Sequence, residues 1–223
     1  MLEDGDLDAV IPNMAGACLH AGQGCVINTR LLVSRPRLDD AVNRLTEMFE
    51  LLAPGDPALP DTFLGPVINR VQQDRILGYV ERASAAGAEI TVGGAAPRDL
   101  PESISGGTYV LPTIVAGVDN SAEIARSEVF GPVLVVLPYE DEADALRIAN
   151  DSEYGLSGAV FSASRERALA FARKVRTGTM SVNGGTYYGG DAPFGGYKSS
   201  GLGRQNGLEG FEQYSETKAV GYL

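Results

Sequence analysis

The chain has 223 residues, enough to bury a sizeable core as one large domain or two small ones. Its 44% hydrophobic and 21% charged residues do not fit the sparse, highly charged composition of disordered chains. Eighteen basic residues against 29 acidic ones leave a net charge of -11, the wrong sign for neutralising nucleic-acid phosphates or docking on anionic membranes.

Residues 1–8 carry acids at Glu3, Asp4, Asp6 and Asp8 and no base, so no secretory n-region opens the chain. No run approaches the ~18 to 20 apolar residues of a spanning helix. These features predict a soluble, cytoplasmic protein. Two cysteines, Cys18 and Cys25, would close only a small loop and make no disulfide framework. The single histidine, His20, leaves any Ser-His-Asp or Cys-His machinery one residue to run through. Cys18, His20 and Cys25 fall short of the four ligands and paired spacing of structural zinc, so no metal is expected. Cys18 lies among Ala15, Ala17 and Leu19 and reads as a core thiol. Cys25 follows Gly22-Gln23-Gly24. The glycines let the backbone bend and a substrate approach, yet the local residues alone fit a small core hydrophobe equally well.

Leu31-Leu32-Val33 reads as a strand, and apolar residues at three- and four-residue steps from Leu38 to Leu52 predict an amphipathic helix. A second helix is expected from about Asn69 to Ala86, with Gly87 as its stop. Strands then follow at 90–92, 109–115, 133–137, 159–161 and 179–182, and helices at 141–150 and 165–175. Residues 94–108, with Pro97, Pro101, Gly106 and Gly107, read as a surface excursion. Short continuous strands separated by helices predict an α/β fold with a mainly parallel sheet flanked by helices. Sites in such sheets gather beyond the strand ends, which directs attention to Cys25 and to the loop after Val182. That loop, residues 184–207, holds nine glycines in 24 residues. Gly201 to Gly207 is spaced GxGxxxG, not GxGxxG, and Lys198 lacks the preceding glycine of a P-loop, so both phosphate motifs are rejected. Residues 216–223 read as an exposed strand that pairs elsewhere.

Five motifs in order resemble the NAD(P)-dependent aldehyde dehydrogenase superfamily. They are Gly22-Gln23-Gly24-Cys25 with Arg30; Ser127-Glu128-Val129-Phe130-Gly131-Pro132; Asn150 with Tyr154-Gly155-Leu156; Asn183 with Pro193 to Arg204; and Tyr214-Ser215-Glu216-Thr217-Lys218. The resemblance spans almost the whole chain. It implies that residues 1–204 are the cysteine-bearing catalytic domain and 205–223 a segment ending in an oligomerisation strand. It implies that Cys25 attacks an aldehyde, that the thiohemiacetal passes a hydride to NAD or NADP, and that the thioester is hydrolysed to a carboxylic acid. The Cys25 N–H would supply half of an oxyanion hole. Glu128 would accept hydrogen bonds from the nicotinamide-ribose hydroxyls, and Phe130 would pack near the nicotinamide. Phe194 would line the substrate tunnel; Tyr187 and Tyr188 would either line it or pack in turns and core.

The chain also departs from the family pattern. The dinucleotide-binding half, with the glutamate motif for the general base and the asparagine completing the oxyanion hole, is expected to be absent, and no residue here is assigned as the base. His20 stands where asparagine is frequent in the family. The expected partners are a small-molecule aldehyde and either copies of the chain in a homo-oligomer or the missing cofactor half, with neither nucleic acid nor membrane. The alternative is a non-catalytic fragment of the family acting as an interaction or oligomerisation module.

Overall fold

A computed structural model of the chain describes residues 1–186 and 189–223. In chain order these form α1 (Leu7–Met14), a kinked 3-10 segment (Ala15–Gly22), β1 (Arg30–Ser34), α2 (Leu38–Glu50), α3 (Arg70–Ala85) and β2 (Glu89–Val92). There follow β3 (Thr113–Ala116), α4 (Glu123–Arg126), β4 (Val133–Tyr139), α5 (Glu142–Asn150), β5 (Ser157–Val160), α6 (Arg165–Ala172), β6 (Thr179–Val182) and α7 (Gly207–Glu212).

Four strands pair in the order β1-β4-β3-β2. β1, β4 and β3 run parallel, and β2 closes the edge antiparallel to β3. β5 and β6 form a second, parallel pair. The expected mainly parallel α/β arrangement is therefore present, with one antiparallel edge. Val133-Leu134-Val135-Val136-Leu137 in β4 are all buried. A run without alternation buries side chains on both faces, so the strand has to be covered on both. Leu45 and Phe49 of α2, Ile76 and Val80 of α3, and Ile148 of α5 belong to the same core.

Helix starts are set by short polar side chains. Asn69 accepts from the Gln72 N–H at 2.9 Å, Asp141 from the Asp144 N–H at 2.8 Å, and Ser164 from the Arg167 N–H at 3.2 Å. Each such cap satisfies a donor the helix leaves open and is worth about 1 kcal/mol.

Some expectations need correction. The strand predicted at 109–115 begins at Thr113, because Pro112 offers no N–H to a ladder and restricts Leu111 before it. Tyr109 is instead a buried core ring whose hydroxyl donates to the Gly55 carbonyl at 2.9 Å. The helix predicted to Val175 ends at Ala172. Residues 216–223 carry no regular structure in the single chain; the strand expected there would need a ladder partner from outside it. α7 precedes them, and Tyr214, Tyr222 and Leu223 are exposed. α1 went unpredicted, although Leu7, Val10, Ile11 and Met14 make a buried helical stripe. No helix among the described residues is long and apolar enough to cross a membrane.

Candidate active site

The approach to Cys25 is built from unusual backbone. His20, Ala21 and Gly22 take φ of 52°, 56° and 73° in succession, a left-handed run that side-chain-bearing residues adopt at a cost of roughly 1–2 kcal/mol each. At Gly22 glycine is obligatory. A Cβ there would lie 2.0 Å from the carbonyl carbon and oxygen of Gly131 and 2.5 Å from the Pro132 nitrogen. The cysteine loop thus rests directly on the Gly131-Pro132 backbone. Gly24 to Ile27 then form a turn closed by the Ile27 N–H on the Gly24 carbonyl at 3.1 Å. Cys25 stands exposed on that turn, open to an incoming electrophile. Gln23 braces it. Its Nε2 donates to the His20 carbonyl at 3.1 Å, and its Oε1 accepts the Ile68 N–H at 2.9 Å.

Because Gly22 touches Gly131, the residues just before Gly131 are brought to the cysteine loop. Glu128 is exposed, Val129 buried and Phe130 half-buried. Phe130 holds φ at 56°, an uncommon conformation for an aromatic residue and one that turns the chain sharply. Cys25, Glu128 and Phe130 line one cavity of about 240 Å³, together with Asn28, Tyr154 and Leu156. A planar ring, an acceptor carboxylate and a thiol on one concave surface can bind a polar heteroaromatic ligand beside a nucleophile. Phe194 lines a second cavity of about 560 Å³ with Val26, Thr179, Met180, Ala192 and Pro193. None of that cavity's described lining residues is charged. The backbone of Phe194 pairs with Gln205 through bonds of 2.7 and 2.6 Å. Tyr187 and Tyr188 lie outside the described residues.

The remaining motif residues hold the walls together. Lys198 donates through Nζ to the carbonyls of Asn150 at 2.8 Å and Ser152 at 3.0 Å. Burial, with Arg176 and Arg30 nearby, lowers its pKa. The Tyr197 N–H reaches the Gly155 carbonyl at 2.8 Å, and the Ser200 hydroxyl accepts the Gly155 N–H at 3.0 Å. Arg30 buries its guanidinium against Asn120 and the carbonyls of Ile148 and Ala149, and that burial lowers its pKa. Asn183 exchanges two bonds with the Ser162 backbone, at 2.9 and 3.0 Å, and so joins the ends of β5 and β6. Cys18 is a core thiol, and burial pushes its pKa up to about 12. Gln72 and Arg75, which belong to none of the motifs, hold the Glu128–Phe130 backbone through their side chains. Their signal was a three-residue spacing on one face of the helix at 69–86, with no motif attached.

Comparison with known proteins follows the same lines. The model of the aldehyde dehydrogenase family matches residues 1–220. A 3-succinoylsemialdehyde-pyridine dehydrogenase of Pseudomonas sp is 41% identical over 99% of this chain and 46% of its own length. A geranial dehydrogenase of Castellaniella defragrans is 40% identical over 99% of this chain and 45% of its own. Among solved structures, the Mycobacterium tuberculosis aldehyde dehydrogenase complexed with NAD+ superposes with a TM-score of 0.90 at 41% identity, covering 100% of this chain and 46% of that one. A Pseudomonas syringae aldehyde dehydrogenase variant complexed with NAD+ and octanal gives 0.91 at 38% identity, over 98% and 44%. The chain spans about half the length of these relatives. Matched along nearly all of its own length by family model, sequence and fold, it belongs to the aldehyde dehydrogenase family.

Proposed function

We propose that the chain is the catalytic half of an NAD(P)-dependent aldehyde dehydrogenase that oxidises an aldehyde to a carboxylic acid. One observation carries the reading: the glycine contact of Gly22 on Gly131 sets an exposed Cys25 beside Glu128 and Phe130 on one cavity. Residues 1–204 are the cysteine-bearing unit, and 205–223 the segment that pairs with another subunit. The exposed Leu208, Phe211 and Tyr214 support that pairing.

The cavity residues fit a nicotinamide riboside. Glu128 offers an acceptor-only carboxylate to vicinal hydroxyls, and Phe130 offers a ring face or edge to a planar base. When bound, the dinucleotide supplies the two-electron oxidant. The relatives solved with NAD+ make NAD the first cofactor to try. The Cys25 thiolate forms the new bond to the carbonyl carbon, and the carbonyl π pair moves to oxygen, where the Cys25 N–H donates to it. Oxidation of the thiohemiacetal carbon leaves a thioester on Sγ. Water then adds to the acyl carbon, the C–S bond breaks with its pair returning to sulfur, and the acid departs. The uncharged wall around Phe194 favours aldehydes with apolar bodies, since an unpaired charge is costly to bury there.

The test is turnover of Cys25→Ser, assayed with the cofactor-binding half supplied. A loss on the order of a thousandfold or more is expected, with circular dichroism unchanged. Undiminished turnover contradicts the assignment. A folded parent chain with no turnover under any such condition favours the interaction-module reading.

A further inference from the structure

Three consecutive carbonyls of the Glu128–Phe130 loop bond to side chains of α3. Arg75 donates from Nη2 to the Glu128 carbonyl and from Nη1 to the Val129 carbonyl, each at 2.6 Å. Gln72 donates from Nε2 to the Phe130 carbonyl at 2.8 Å and to the Val129 carbonyl at 3.1 Å. One turn on, Ile76 packs so closely that a Cβ on Gly131 would lie 2.4 Å from its Cδ1. Residues 72, 75 and 76 share a helix face by their spacing, so one face of α3 grips four consecutive loop residues. The Arg75 guanidinium is steadied in turn, lying 4.9 Å from the centre of the Tyr79 ring. The gripped segment holds the left-handed Phe130, a conformation that persists where its surroundings over-determine it.

The geometry points to Gln72 and Arg75 as positioning residues that lock the Phe130 backbone in its left-handed state, and so aim the Glu128 carboxylate and the Phe130 ring into the cavity beside Cys25. This rests on the proposed function for its purpose, but the exchange test does not. Released from the grip, Phe130 relaxes toward the negative φ that its side chain prefers. The carboxylate and the ring then leave their places together. The fork of Arg75 reaches two carbonyls at once; a lysine ammonium keeps the charge and donors but loses the fixed fork.

The experiment compares the parent chain with Gln72→Leu, Arg75→Met and Arg75→Lys by amide hydrogen exchange and urea denaturation, with no cofactor present. The result expected is exchange at residues 128–131 about tenfold or more faster in Gln72→Leu and Arg75→Met, partly restored in Arg75→Lys. Amides in β4 should keep the parent rate. Unchanged exchange at 128–131 overturns the proposal. So does acceleration across the whole chain in step with a fallen urea midpoint, since that marks general support. In protein supplied with the cofactor half, Arg75→Met should lower kcat about tenfold or more while the aldehyde KM stays within about twofold. An equal change in KM with kcat unmoved would also overturn it. Failure of the dehydrogenase reading shows elsewhere, as turnover that survives Cys25→Ser.

Discussion

Cys18 lies in the core, where burial pushes its pKa up to about 12, while Cys25 is exposed on its turn. At pH 8 iodoacetamide should modify Cys25 in the native chain and reach Cys18 only after denaturation. Equal rates for the two would contradict the structure. Cys18 also makes an alkaline prediction. Its folded pKa is raised, so the folded state keeps a proton that the unfolded chain loses above pH ~9. Its contribution to stability is complete below that pH and is lost as the pH rises toward about 12. Tyr139, likewise pushed up to about 12 by burial, acts in the same direction between pH ~10 and 12. Urea midpoints should therefore fall above pH ~9, and a flat profile to pH 11 would refute the burial of these groups. The core reading of Cys18 was legible from its small apolar neighbours. The left-handed His20 and Ala21 were not, since neither side chain marks that conformation and tertiary contact imposes it.

Helices were most legible where periodicity is strong or a polar cap marks the start. α2 and α3 begin within a residue or so of their expected starts, because the Leu38 to Leu52 stripe is strongly amphipathic and Asn69 is a good cap. The strand expected at 109–115 starts late, at Thr113, because aromatic and β-branched residues suggest an earlier start whereas the ladder obeys Pro112. α1 was overlooked with Pro12 inside it. The contact of greatest consequence lies between two loops far apart in sequence, at Gly22 and Gly131, and no local pattern announces it. Gly22→Ala tests that contact. The methyl would sit on a residue held at φ of 73° and must displace the Gly131-Pro132 backbone, so destabilisation on the order of 3 kcal/mol is expected in urea melts. Cys25 alkylation should change with it as the turn shifts. An alanine variant as stable as the parent, with the same alkylation rate, would show that the loops do not meet as described.

Across the whole molecule, the ordered motifs let the family be named and Cys25, Glu128 and Phe130 be singled out, and the fold brings those three to one cavity. Less was legible at the margins. The carboxyl-terminal residues join no ladder among the described residues, so the strand that sequence pattern implied there would need a partner to complete it. Phe194 lines its cavity from within a glycine-rich stretch that offers no periodicity to place it. Because the chain spans about half its relatives' length, assays of the proposed reading are run with the proposed cofactor half supplied. The most direct measurement is peptide mass spectrometry of the protein quenched in acid during aldehyde turnover. The covalent route through Cys25 predicts an acyl group from the aldehyde on the peptide containing Cys25, absent when the cofactor is withheld and absent in Cys25→Ser. Turnover with no acyl adduct on that peptide under rapid quenching, or with the adduct on Cys18, would contradict it.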